Sequence, residues 1–115
     1  MSKTQAGQLR IVAGIWRSRL LQIAAVDGLR PTASRIRETL FNWLGPNIHG
    51  ARCLDLCAGT GALGIEALSR GAAEVVFVEN SHNAATTLRQ NLGSLQASGA
   101  EIVSADAKYY LTGSA

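Results

Sequence analysis

The sequence predicts an α/β fold, the first half of a doubly wound parallel sheet, preceded by a basic hairpin and helix. Three observations carry this. From residue 51 onward, short apolar segments alternate with helical periodicity in the order β-α-β-α-β, the pattern of parallel strands joined by right-handed crossovers. A glycine-rich turn joins the first of these strands to the first helix, as doubly wound sheets do where they hold a ligand. The first 45 residues lack that alternation and differ from the rest in charge.

Taken in order, Leu9–Ala13 and Trp16–Ala24 are apolar-rich runs separated by Gly14, which predicts a β-hairpin. Val26–Pro31 reads as a linker with Asp27-Gly28 as its turn. Thr32 can cap a helix in which Ile36, Leu40, Phe41 and Leu44 share one face, with Ile36, Leu40, Phe41 and Trp43 expected in the core. Gly45-Pro46 should stop that helix. Residues 51–56 form a short strand, and 61–70 a helix ending at Gly71. Glu74–Glu79 is the clearest strand. From Ser81 a helix places Ala84, Ala85, Leu88, Leu92 and Leu95 on one face, Gly99 breaks it, and Glu101–Ser104 is a third strand. A further helix is expected to begin within 107–111. The organisation is thus a hairpin and helix over 1–45 and a β-α-β-α-β unit over 46–115, its sheet ordered third, second, first.

The chain has 115 residues, 47% of them hydrophobic and 17% charged, enough for one core. No apolar run approaches the roughly 20 residues of a membrane span, and MSKTQAGQLR has no apolar segment for a secretory signal, so a cytoplasmic protein without a membrane partner is expected. Cys53 and Cys57 read as small buried hydrophobes, and no cluster of ligands predicts a metal. The net charge of +3 is uneven. Residues 1–37 carry seven basic side chains against Asp27 alone, a net of +6, while residues 38–115 carry a net of −3. A basic head on an acidic body fits a polyanionic partner or a solvated surface.

The chemistry centres on Asp55-Leu56-Cys57-Ala58-Gly59-Thr60-Gly61-Ala62-Leu63-Gly64. Gly59, Gly61 and Gly64 satisfy G-x-G-x-x-G, in which glycines admit a ligand close to the backbone and the helix start offers N–H groups. Glu79, about 20 residues on, ends the next strand where an acid can hold a ribose diol. Both a dinucleotide and S-adenosylmethionine fit so far. Asp55 separates them. A pyrophosphate would bring like charge beside this carboxylate, whereas S-adenosylmethionine brings an ammonium and a sulfonium. Asp106, after the third strand, opens on the same edge and suits an adenine amine, or a helix N-cap.

Beyond the turn, Leu9-Arg10-Ile11-Val12-Ala13-Gly14-x-Trp16-Arg17-x-Arg19-x-Leu21, then Leu29-Arg30-Pro31-Thr32, then Arg35–Leu44, and finally Asp55–Gly64 with Glu66–Ala72, together resemble the bacterial enzymes that methylate a guanine N2 in small-subunit ribosomal RNA. Ile15 and Ser18 stand where that family usually has a basic residue and a glycine. The resemblance implies a Rossmann-like class I methyltransferase fold and S-adenosylmethionine as cofactor. It also implies ribosomal RNA, or an assembling small ribosomal subunit, as partner. It places Asp55, Gly59, Thr60, Gly61 and Gly64 around the methionine moiety. Glu79, Asn80 and Ser81 fall at the ribose, and Asp106 and Ala107 at the adenine. Thr32, Arg35 and Arg37 would lie at the cofactor entrance, and Arg10, Trp16, Arg17, Arg19 and Arg30 on the RNA side. Hairpin packing competes with a base contact for Trp16.

The same family works with an Asn or Asp, two prolines and an aromatic after its fourth strand. The only prolines here are Pro31 and Pro46, so no catalytic residue is assigned within the 115. Such a chain reads as the N-terminal part of a longer enzyme, inactive by itself. The alternatives are a non-catalytic RNA-binding module and a nicotinamide-dependent oxidoreductase.

Overall fold

The computed structural model describes residues 7–23, 34–56 and 61–105. Its strands are β1 (Gly7–Arg10), β2 (Leu20–Ile23), β3 (Arg52–Leu56), β4 (Glu74–Glu79) and β5 (Ala100–Ser104). Its α-helices are α1 (Ser34–Leu44), α2 (Ala62–Ser69) and α3 (His82–Ser94). Two sheets result: an antiparallel β1-β2 pair and a parallel sheet ordered β3-β4-β5, as the alternation of elements predicts.

In the parallel sheet, Asp55 lies beside Phe77 and Glu79 beside Ser104, so the strands finish together along one edge. Val75, Phe77 and Val78 of β4 are fully buried, which is why this strand carries the most continuous apolar run. Ile65 and Leu68 of α2 and Leu88, Leu92 and Leu95 of the α3 region join it in one core. Leu9, Ile11 and Leu21 from the hairpin, with Phe41 and Ile48, belong to the same cluster.

The hairpin is shorter than its apolar runs suggest. Leu9 faces Leu21 and both are buried, while Gln8 and Gln22 are exposed, the period-two alternation of a half-buried sheet. Pairing then gives way to a loop over residues 11–19. The amides of Val12, Ala13, Ile15 and Trp16 go instead to acceptors on α2. Asn91 of α3 secures the other strand, accepting from the Gln22 amide at 3.0 Å and donating to the Gln22 carbonyl at 2.9 Å.

Helix α1 corrects the expected core face. Phe41 is buried, but Ile36, Leu40, Trp43 and Leu44 are exposed, Trp43 by 83%. The inward stripe is Arg37 and Phe41, one turn apart. Arg37 is 1% exposed and ion-paired with Glu66 of α2 at 2.9 Å, which fixes the rotation of the helix, and the Arg70 guanidinium lies 5.0 Å above the Phe41 ring. Helix α1 ends at Leu44 as Gly45-Pro46 demands, and a 3-10 turn over Gly45–Ile48 follows.

Candidate functional site

The site lies where β3, β4 and β5 end. Asp55, the penultimate residue of β3, turns its carboxylate toward the start of α2, and Oδ2 accepts the Gly64 amide at 3.0 Å. That bond satisfies one of the first-turn donors that a helix leaves unpaired. Gly61 caps the helix in the left-handed region at φ 78, and a Cβ there would run into Leu88. Gly64 needs to be glycine for another reason: a Cβ would enter the ring of Phe77, so its absence lets α2 rest directly on β4.

Burial raises the Asp55 carboxyl to about 6, and the negative Glu79 nearby pushes the same way, against the Gly64 hydrogen bond. No cationic side chain pairs with Asp55 among the described residues. Glu79 is itself buried and accepts the Ser81 amide at 2.7 Å. Ser81 is the N-cap of α3, its hydroxyl accepting the Ala84 amide at 3.3 Å, and Asn80 is exposed beside it. Two carboxylates thus meet at one sheet edge beside two helix starts. Such an edge favours a cationic ligand with a hydroxyl-bearing part and disfavours a pyrophosphate.

The structure brings Asp55, Gly61, Gly64, Glu79, Asn80 and Ser81 to this edge. Gly59, Thr60, Asp106 and Ala107 lie outside the described residues, as do Thr32 and Arg30. Arg35 is in the first turn of α1. Arg37 is placed elsewhere than at an entrance. Its Nη1 is bound to Glu66 and its Nη2 donates to the Arg10 carbonyl at 3.1 Å, so it ties the hairpin to both helices. Burial lowers its pKa while Glu66 supports the charged form.

In the hairpin, whose loop bonds to Glu66 and Ser69 in the C-terminal half of α2, Arg10, Arg17 and Arg19 are exposed, and Trp16 is half-buried against the core. Arg10 donates to the Ser18 carbonyl at 3.0 Å and Arg19 to the Ser94 carbonyl at 3.2 Å. Ser18 adopts φ 71, a left-handed conformation that favours glycine. Glu66 and Ser69 hold this loop and Asn91 holds β2 beside it, three polar residues that sequence reasoning does not single out. The available signal was a lone acid inside the apolar stretch Ala62–Ser69, four residues before Arg70. Cys53 is half-buried, which raises its thiol, and the described residues hold no metal-ligand cluster.

The family model described as conserved hypothetical protein 95 matches residues 9–114. The chain belongs to that family. The protein named ribosomal RNA small subunit methyltransferase D from Escherichia coli K12 is 49% identical over 106 residues, 92% of this chain and 54% of that protein. Its namesake from Haemophilus influenzae is 50% identical over 99 residues, 84% of this chain and 51% of that protein. Among solved structures, Escherichia coli yhhF superposes with a TM-score of 0.84 at 49% identity, over 92% of this chain and 58% of that one. The C-terminal domain of a precorrin-6Y C5,15-methyltransferase from Rhodobacter capsulatus, 22% identical with a TM-score of 0.64 over 74% of this chain and 45% of that one, shares the fold. The parallel sheet of this family member is therefore that of class I methyltransferases. The chain spans about half the length of the curated relatives it matches.

Proposed function

We propose that this chain carries the cofactor site and an RNA-facing loop of an S-adenosylmethionine-dependent enzyme that methylates a guanine N2 in small-subunit ribosomal RNA. The observation that carries the reading is Asp55: a largely buried carboxylate without a cationic partner among the described residues, at the mouth of a glycine-rich turn. The names of the relatives support ribosomal RNA as the substrate, and the N-terminal motifs support the guanine.

The donor set fits the cofactor. Asp55 faces the methionine ammonium and keeps the first turn of α2 in place through Gly64. Glu79, anchored by the Ser81 amide, accepts from the ribose hydroxyls. Asp106 and Ala107 are assigned to the adenine. When bound, S-adenosylmethionine supplies an electrophilic methyl group on sulfur. On the RNA side, Arg10, Arg17 and Arg19 meet phosphates, and Trp16 borders them. Catalysis then consists of holding the amine in line with the sulfonium, by acceptors that orient its N–H bonds. That work belongs to the family's Asn/Asp-Pro-Pro-aromatic motif, which these 115 residues do not contain.

Calorimetric titration separates this reading from its rivals. S-adenosylmethionine or its demethylated product should bind, and NAD should bind at least tenfold more weakly. Preference for NAD would refute the methyltransferase reading. RNA binding without any affinity for S-adenosylmethionine would leave an RNA-binding module.

A further inference from the structure

In the loop over residues 11–19 the amides of Ile11, Arg17, Ser18 and Arg19 bond within the loop, whereas those of Val12, Ala13, Ile15 and Trp16 all find their acceptors on one stretch of α2. Glu66 of α2 is fully buried and accepts four hydrogen bonds. The Val12 amide (3.1 Å) and Arg37 Nη1 (2.9 Å) reach Oε1, while the Ala13 amide (3.0 Å) and Arg70 Nε (2.9 Å) reach Oε2. A carboxylate has about four lone-pair positions, so this one is saturated. One turn on, the Ser69 hydroxyl donates to the Ala13 carbonyl at 2.6 Å and accepts the Trp16 amide at 3.0 Å, and the Ser69 carbonyl accepts the Ile15 amide at 2.8 Å. Gly14, at φ 91 between these anchors, lies so close to the Ser69 carbonyl that a Cβ would collide with it. The side chains left pointing outward are those of Ile15, Arg17, Ser18 and Arg19.

We propose that Glu66 and Ser69 are positioning residues for RNA: from inside α2 they hold the 11–19 loop in one shape, so that its arginines meet the phosphates already arranged. This rests on the RNA-binding reading above. Neither residue touches RNA. Their effect is to raise the fraction of molecules whose loop is competent to bind, and apparent affinity scales with that fraction. The same helix begins at the cofactor turn, so the loop and the cofactor edge are both referred to α2, roughly 10 Å apart along its axis.

The test uses Glu66→Gln and Ser69→Ala in the full chain, with a fluorescein-labelled stem-loop from small-subunit ribosomal RNA as probe. Glu66→Gln makes the protein one unit more positive. Electrostatics alone would then tighten RNA binding, whereas loss of positioning weakens it. Both variants should bind about tenfold more weakly, as when only one loop in ten is competent. The slope of log affinity against log salt should stay unchanged, because every phosphate-contacting arginine remains. Arg10, Arg17 and Arg19 changed together to Ala should instead reduce the slope. Hydrogen exchange at the amides of Val12, Ala13, Ile15 and Trp16 should accelerate in both variants before the rest of the chain does. Ser69→Ala keeps the charges and the ion pairs, so it stands as the test if Glu66→Gln fails to fold. RNA binding that is unchanged or tighter in a folded variant, or a lower salt slope, would overturn the inference alone. Failure of the unaltered chain to bind RNA would overturn the RNA reading and this inference with it.

Discussion

Replacing Asp55 by Asn should make the protein more stable at neutral pH and worse at holding its cofactor. The Asp55 carboxyl titrates near 6, raised from an ordinary 3.8, chiefly because burial penalises its charge. The folded state therefore holds the proton more tightly than the unfolded chain does. Between pH 4 and 6 stability falls as pH rises, and above 6 the whole penalty is present. A shift of about two units corresponds to about 3 kcal/mol, and the remaining solvent contact brings the working figure to about 2 kcal/mol. Asn removes the charge but keeps an oxygen that can accept the Gly64 amide, so the first turn of α2 retains its partner. The Asn variant should match the original at pH 4, gain on it through pH 6, and stay about 2 kcal/mol more stable up to pH 8. Urea unfolding of both proteins across that range measures the difference, in which the other acids cancel. The cofactor should pay in the opposite direction. Loss of a charge-assisted contact of about 1.5–3 kcal/mol weakens S-adenosylmethionine roughly ten- to hundredfold. Equal stability at pH 8, or an Asn variant that is less stable there, would show that the Asp55 charge is not strained in the folded protein.

Two further outcomes follow from other parts of the molecule. Ser18→Gly should stabilise the chain by about 0.5–1 kcal/mol, because φ 71 strains a side chain and glycine's freer unfolded state offsets only part of the gain; thermal unfolding would register a rise in Tm. The 115-residue chain should self-associate, since β3 is paired only with β4 among the described strands, Leu54 is 46% exposed on it, and Ile36, Leu40, Trp43 and Leu44 line the nearby face of α1. Light scattering after size exclusion should show a mass above 12.1 kDa that falls when Trp43 and Leu54 are both changed to Lys, whereas a monodisperse monomer at tens of micromolar would contradict it.

Much of the architecture was legible in the chain itself because it depends on local periodicity. The run Glu74–Glu79 has no polar interruption, as a strand buried on both faces requires, and the structure gives β4 those same bounds. Ser81 reads as a helix start because its hydroxyl can accept an amide three residues on, and it does. The positions of Asp55 and Glu79 at the ends of adjacent strands follow from their place in the β-α-β pattern. What tertiary structure alone decided is which way a helix turns and where loop amides find acceptors. In α1 an apolar stripe pointed one way, yet a saturated carboxylate on another helix drew Arg37 inward and left Ile36 and Trp43 outside. The apolar run Leu9–Ala13 looks like strand to its end, yet Glu66, more than fifty residues away, captures the amides of Val12 and Ala13 and ends the pairing early. Period and spacing act within a few residues and are written in order along the chain. A buried ion pair is worth having only when both partners are brought out of water together, and no short stretch of sequence records where its partner lies.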